Sequence, residues 1–332
     1  MRRPALALAV ALWAACASGV AARDLAPKDI EVRSTPITHF RFGSTDSRFG
    51  ALDFVGGLEL SASAREFGQL SAMRFLTPGG DFIGVADHGY WFSGTIERDG
   101  HLPASVSAFR MQPMVDAAGN ALLDKADQDA EGLDVHDGVA TVAFEREARL
   151  AEFALQPGAM GRPLRHPDFV IPRRELRHNQ GIETLARAPA GGALDGARVV
   201  VAERSVDGDG NIFAAIIEGR QKGVFKVRRS DSFDVTDGVF LPDGDLLLLE
   251  RRFSPLVGVG MRLRRIAGET VRPGALVDGE VLMQADLAYR IDNMEALDVW
   301  RRDDGALVVS LLSDDNQSFL QRTLYLEFVL AE

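Results

Sequence analysis

The stretch Thr236-Asp-Gly-Val-Phe-Leu-Pro-Asp-Gly-Asp-Leu-Leu-Leu-Leu-Glu-Arg251 sets the plan that the rest of the chain repeats. Residues 239–241 are a short apolar run, Pro242-Asp243-Gly244-Asp245 is a turn in residues that accept tight or left-handed backbone, and residues 246–249 are a second apolar run. The segment reads as a β-hairpin. Asp237 stands where its first strand begins and Glu250 where its second strand ends, and those two points are neighbours in an antiparallel pair.

Four other segments copy this plan. They begin with the runs at residues 70–75, 130–135, 181–186 and 294–300, and each is followed by a Gly- or Asp-containing turn and a second apolar run. Aligned on Ser71, Glu131, Glu183, Asp237 and Glu295, the copies recur about every 56 residues, the mark of a repeat architecture. Between copies there is room for two more strands each time, at residues 90–97 and 106–111, 150–155 and 169–172, 212–217 and 224–227, and 261–266 and 281–285. Four strands per unit make a propeller blade. The expected fold is therefore all-β, a single β-propeller of four-stranded blades, with five blades favoured and six the alternative. The last unit lacks one strand, and the apolar run at residues 52–60, with a bulge expected at its glycines, has no blade of its own. Pairing this N-terminal strand with the C-terminal strand at residues 323–330 closes the ring and removes its open edge.

Residues 1–22 carry the Arg2-Arg3 pair, an apolar run and a Val20-Ala21-Ala22 exit, the layout of a signal peptide, so export to the periplasm or beyond is expected. Residues 23–50 then form an N-terminal extension and residues 51–332 the propeller. No later run suggests a transmembrane helix. Cys16, the single cysteine, falls inside the leader and lacks the leucine that usually stands three residues before a lipid-anchored cysteine. The mature chain is expected to hold together by packing, without disulfides, as a monomer. A formal net charge of −11 disfavours nucleic acid or an anionic membrane as partner and favours cations.

The first strand of a blade lines the central channel and the second runs antiparallel beside it. This places Glu131, Glu183, Asp237 and Glu295 at one channel mouth with Asp87, Glu145, Glu203, Glu250 and Asp314; Ser71 is the non-acidic member of the first set. Converging carboxylates raise each other's pKa unless something neutralises them. Arg146, Arg204 and Arg251 follow three of the acids, and Arg74 lies near a fourth. A divalent cation is the other solution. An all-oxygen set without cysteine suits Ca²⁺, with Mg²⁺ second, so Glu131, Glu183, Asp237, Glu295, Asp87, Glu203, Glu250 and Asp314 are the expected metal ligands. His88, His178, Asn179, Gln180, Asn293 and Asn316 fall beside these acids. The competing reading is that the acids pair with arginines to tie blade to blade. Asp207-Gly208-Asp209-Gly210-Asn211 has the look of a calcium loop, but Ile212 stands where the glycine should be, so a hairpin tip is expected.

The motifs Gly56-Gly57-Leu58-Glu59-Leu60, Ala86-Asp87-His88-Gly89, Asp129-Ala130-Glu131-Gly132-Leu133, Asn179-Gln180-Gly181-Ile182-Glu183, Ala202-Glu203-Arg204-Ser205, Leu249-Glu250-Arg251 and Asp292-Asn293-Met294-Glu295-Ala296-Leu297 occur in this order. With them the chain resembles the bacterial phytase-like family, also labelled "esterase-like activity of phytase", over nearly its whole mature length. Ser71 and a shorter arrangement around His88 depart from the pattern. The resemblance implies an exported propeller whose acidic motifs serve phosphoester hydrolysis. On that basis a metal-dependent phosphoesterase is expected, with Glu183 and the cation at the chemistry, Arg146, Arg204 or Arg251 on the phosphoryl oxygens, His88 beside them, and a small phosphoester or other polar molecule as ligand. The alternative is a non-catalytic propeller that binds a cation, a small ligand or a partner protein at the same mouth.

Overall fold

The computed structural model describes residues 24–254 and 258–331, so the expected leader and Cys16 lie outside the described residues. Five sheets follow one another along the chain as the blades of a propeller. Blade 1 contains Leu70–Phe75, Asp81–Ala86, Tyr90–Asp99 and Leu102–Pro113; blade 2 contains Ala130–His136, Val139–Phe144 and Arg149–Ala154. Blade 3 contains Ile182–Arg187, Arg198–Val206, Ile212–Ile216 and Gly223–Val227, and blade 4 contains Asp234–Phe240, Leu246–Ser254, Gly258–Ile266 and Glu280–Ala285. Blade 5 contains Asn293–Arg301, Leu307–Asp314, Thr323–Leu330 and, from the other end of the chain, Leu52–Ser61.

The Leu246-Leu247-Leu248-Leu249 run shows why the strands are continuously apolar rather than alternating. Successive side chains point to opposite faces of a sheet, and both faces of a blade are covered. Leu246 and Leu248 pack with Val199, Val201 and Phe225 of blade 3, while Leu247 and Leu249 pack with Met294, Val309 and Leu311 of blade 5. Three further clusters fill the other blade interfaces: Leu60, Leu70 and Tyr325 between blades 5 and 1, Ile83, Leu133 and Val142 between 1 and 2, and Leu150, Leu185 and Val200 between 2 and 3. The core is therefore a ring of seams, one per interface.

Closure happens as expected. Leu52–Ser61 runs antiparallel to Thr323–Leu330, from the Leu52–Leu330 pair to the Leu60–Thr323 pair, with the register shift where Gly56 meets Glu327. Arg33–Ile37 adds a further strand outside Leu52–Ser61, and Lys28–Asp29 pairs with the outer strand of blade 1, so the N-terminal segment straps the closing seam. Glu327 is fully buried there and receives Arg98 of blade 1 at 2.6 and 2.9 Å.

Blade 2 departs from the sequence reading. Residues 169–172 do not form its fourth strand; Phe169 and Ile171 instead pack as irregular chain into the blade 2–3 seam. Pro163, Pro167 and Pro172 cannot donate to a ladder, and Val170 has a φ of +69°, outside the β region. The exposed edge is covered locally: the Glu152 backbone N–H donates to the Arg165 carbonyl at 2.9 Å, and the Leu164 N–H donates to the Glu152 carbonyl at 2.6 Å. Asp207 to Asn211 is a hairpin tip in which Lys226 Nζ lies 2.5 Å from Asp207 Oδ2. No helix among the described residues is long and apolar enough to cross a membrane.

Candidate functional site

The inner strand of every blade carries a β-bulge at its start. The register skips one residue opposite the second strand at Ser71, Glu131, Glu183, Thr236 and Glu295. A bulge re-aims the side chain of the unpaired residue, and here it turns three glutamates towards the channel mouth. Beside each bulge in blades 1 to 3, the acid ending the second strand is fixed by its own backbone. The N–H groups of Asp87, Glu145 and Glu203 donate to the carbonyls of Gln69, Asp129 and Gly181 at 3.0, 2.8 and 2.7 Å. Gly181 also lets blade 3 approach blade 2 closely: its N–H donates to Glu145 Oε1 at 3.0 Å, and a Cβ there would stand 2.9 Å from the Glu145 carbonyl oxygen.

The result is a cavity of about 270 Å³ whose lining holds no apolar side chain. Eight carboxylates face it, those of Asp87, Asp129, Glu131, Glu145, Glu183, Glu203, Glu295 and Asp314, against the three cations Lys125, Arg146 and Arg251. Arg251 donates to Glu295 Oε1 at 2.8 Å and Glu203 Oε1 at 3.1 Å and also to Asn293. Arg146 Nε donates to Asp129 Oδ2 at 2.8 Å, and Lys125 Nζ lies 3.4 Å from Asp87 Oδ2. Neither Glu131 nor Glu183 has a basic partner among the described residues.

The charge excess shows in the ionisation of the ring. Burial, reinforced by the surrounding carboxylates, holds Glu131 and Glu183 well above the ordinary glutamate range. Burial and the Glu203 charge push Glu145 up to about 7. Glu295 also rises to about 7, because burial and Glu203 outweigh Arg251. Burial and the Glu295 charge take Asp314 to about 8. Asp129 and Glu203 rise as well, since burial exceeds the pull of Arg146 and Arg251 respectively.

Two triads can hold a metal ion: Asp129, Glu131 and Glu145, and Glu145, Glu183 and Glu203. Within each, one ligand oxygen per residue lies within 4.8 Å of the others, and Glu145 belongs to both. Oδ1 of Asp87 is buried with no hydrogen-bond partner in the protein. A hard, oxygen-seeking cation fits this donor set.

The sequence alignment places the acid of blade 4 one residue too far along. The bulge there falls on Thr236, whose hydroxyl donates to the Met294 carbonyl at 3.0 Å, and Asp237 lies deeper. Asp237 takes both Arg74 amino groups, at 2.8 and 2.9 Å, and the Leu297 N–H at 2.8 Å. Arg74 also donates to the Leu297 carbonyl at 2.8 Å, so this ion pair ties blades 1, 4 and 5 together across the channel below the cavity. Glu250 is likewise absent from the lining: it is fully buried inside blade 4 between Arg262 and Arg264, the latter at 2.5 Å. Arg204 does not line the cavity either; it lies 3.5 Å from Asp234 and is half exposed. His88 stands behind Asp87, with Nε2 3.1 Å from the Glu66 carbonyl oxygen and its ring 4.7 Å from that of Tyr90. Glu59 is on the closing strand, away from the mouth, 4.0 Å from Arg322.

Asp129 and Lys125 were not expected in the site. Asp129 immediately precedes a repeat, in the motif Asp129-Ala130-Glu131, and that proximity was the available signal; Lys125 sits in the short helix Lys125–Gln128, which no repeat marks. Glu145, Arg146, Asn179 and Asn316, named beside the ring from sequence, all line the cavity.

Among solved structures, the chain is similar to an endo-arabinase from Bacteroides thetaiotaomicron VPI-5482, at 12% identity and a TM-score of 0.48 over 84% of this chain and 96% of that one. It is also similar to a Cellvibrio cellulosa alpha-L-arabinanase complexed with arabinohexaose, at 11% identity and a TM-score of 0.43 over 78% and 91% of the two chains. A comparison with curated proteins gave no match. The sequence pattern of the Phytase-like family, described as "Esterase-like activity of phytase", matches residues 65–317, and with most of its length covered, the chain belongs to that family.

Proposed function

We propose that this protein is a metal-dependent phosphoesterase that works outside the cytoplasm, with the acidic mouth as its active site. The observation that carries the reading is the imbalance in the lining: eight carboxylates face three cations, and Glu131 and Glu183 have no basic partner among the described residues. Such a site is most stable with added positive charge. Glu131, Glu145, Glu183 and Glu203, with Asp129, would hold the ion, Ca²⁺ being the best match to flexible all-carboxylate coordination. When bound, a divalent cation supplies charge stabilisation for a phosphoryl oxygen and makes water a better nucleophile at neutral pH.

The chain's own residues supply the rest. Arg251 and Arg146, at the cavity wall, offer guanidinium donors to the remaining phosphoryl oxygens, without which an acidic mouth would repel the substrate. Asp314, pushed up to about 8 by burial and Glu295, keeps its proton at neutral pH and can give it to a departing alkoxide.

A second reading has one observation in its favour: Arg251 is already engaged by Glu203, Glu295 and Asn293, and Arg146 by Asp129. If those bonds persist with ligand present, the mouth is a cation-binding device without turnover. Release of phosphate from a generic monoester and a diester, measured in chelator and after adding back Ca²⁺ or Mg²⁺, separates the two. Turnover that disappears with chelator and returns with the ion supports the enzyme. Cation binding by calorimetry without turnover of either ester supports the second reading.

A further inference from the structure

The acidic cavity occupies one end of the channel, and a second cavity of about 520 Å³ occupies the other. It belongs to the whole ring. The residues three places after each inner-strand bulge are Arg74, Asp134, Ala186, Val239 and Asp298, one from every blade, and all five line it. The turns that close the inner hairpins of blades 1 and 3 add Pro78, Pro189 and Ala190. The Arg74–Asp237 pair lies across the channel between the two cavities, which share no lining residue.

The chemistry of the two ends differs. The acidic cavity holds no apolar side chain, whereas this one is walled by Phe75, Leu76, Val239, Phe240 and Pro189. Most of its charges are matched: Arg74 is taken by Asp237, and Arg187 Nη2 lies 2.7 Å from Asp134 Oδ2. Asp298 is not. Its Oδ2 accepts the Phe75 N–H at 2.7 Å and its Oδ1 the Val299 N–H at 2.9 Å, both neutral donors, and no basic side chain among the described residues forms an ion pair with it. Burial, outweighing the attraction of Arg74, raises its pKa to about 6, so at neutral pH it is an ionised carboxylate beside an apolar wall. Each of its oxygens keeps room for one more donor. The other unmatched charge, Arg301, stands three residues further along the strand, about 10 Å away, where it is exposed and donates to the Gly305 carbonyl at 2.8 Å. An apolar cavity with a few placed polar groups is the usual form of a small-molecule site, and a carboxylate in it without a counter-ion selects a cation.

We infer that this end of the channel is a second binding site and that it takes a small organic cation, with a primary ammonium donating to Asp298 and an aryl or alkyl body lying against Phe75, Val239 and Phe240. The ammonium is a compact head with three donors, matched to the two carboxylate oxygens. The inference does not depend on the phosphoester reading, since none of its residues lines the acidic cavity.

The test uses phenethylamine as probe, with phenethyl alcohol and hydrocinnamate as neutral and anionic counterparts of the same body, each titrated calorimetrically into the protein in excess Ca²⁺. The amine should bind about tenfold or more tightly than either counterpart, as a hydrogen bond to a charged acceptor requires. Asp298→Asn, which keeps a carbonyl oxygen for the Phe75 N–H, should bring the amine down to the level of the alcohol, while Glu183→Gln, in the other cavity, should leave amine binding unchanged. Ala190 is exposed at the rim, so substitutions there leave the core intact. Ala190→Arg should weaken the amine about threefold and Ala190→Glu should strengthen it by about as much. Equal binding of the three compounds, or no binding of the amine, overturns the inference. Amine binding that survives Asp298→Asn, or that is lost with Glu183→Gln and so belongs to the acidic mouth, overturns it as well. Should Asp298→Asn fail to fold, the Ala190 pair decides: opposite signs uphold the site, and equal or absent effects overturn it.

Discussion

Raising the pH should weaken the metal-free protein, and a bound cation should remove that weakness. Three acids of the mouth have folded-state pKa values well above their unfolded ones: Glu145 and Glu295 at about 7 and Asp314 at about 8, with burial as the main cause. A carboxyl group whose pKa rises on folding favours the folded state while it stays protonated. That contribution is intact below the unfolded value near 4.5 and is lost as pH climbs through the folded value near 7. For Glu145 alone, moving from 4.5 to about 7 corresponds to about 3 kcal/mol lost by pH 8, at 1.36 kcal/mol for each tenfold change in ionisation. In a domain of this size that is a drop of about 5 °C in melting temperature. Asp207 and Asp304, held down to about 2, work in the opposite direction, but their window closes below pH 4 and does not overlap. A cation at 100 times its dissociation constant adds about 2.7 kcal/mol and acts only where the ring is ionised. The assay is calorimetric melting at pH 5, 6, 7 and 8, first in excess chelator and then with Ca²⁺. The melting temperature should fall from pH 5 to 8 without metal and stay nearly level with it. A metal-free curve that is flat or rises to pH 8, or a calcium effect no larger at pH 8 than at pH 5, would refute the reasoning.

Glu183→Gln removes one uncompensated buried charge, so it should raise the metal-free melting temperature at pH 8 by a few degrees while weakening Ca²⁺ binding at least tenfold; a loss of stability with unchanged Ca²⁺ affinity would make the ring a structural device. Arg74→Ala strands Asp237 in the channel without its bidentate partner and should cost about 3–5 kcal/mol in denaturant unfolding, with part recovered by adding Asp237→Asn. Glu59→Gln should change stability by less than about 0.5 kcal/mol and leave cation binding alone, since its only ion pair among the described residues is an exposed contact at 4.0 Å. Both would be checked by denaturant titration, and a large effect of Glu59→Gln on calcium affinity would place the site elsewhere.

How much of the site was legible can be seen residue by residue. Glu131, Glu183 and Glu295 were found because each opens an inner strand, and strand starts can be counted from repeats. Asp237 was misplaced because the acid itself served as the mark for aligning the repeats: the bulge of blade 4 holds Thr236 and its acid comes one residue later, where Gly132 follows Glu131 in blade 2. Glu250 stands one residue before the place that Glu145 and Glu203 hold, opposite the residue preceding the bulge, so Arg251 takes that place at the mouth and Glu250 is turned to Arg262 and Arg264 of the neighbouring strand.

The sequence by itself determined most of the strands, the turns between them, the preference for five blades over six and the closing strand, because these follow from local apolar runs, turn residues and their spacing; the strand expected at residues 169–172 was the exception. Only the tertiary structure decided which acids share a cavity and which are neutralised. Those pairings run through space between blades: Arg74 meets Asp237 across 163 residues of sequence, and Arg251 meets Glu203 across 48. A charge is neutralised by what lies within a few ångströms of it, and the closing of the ring sets those distances.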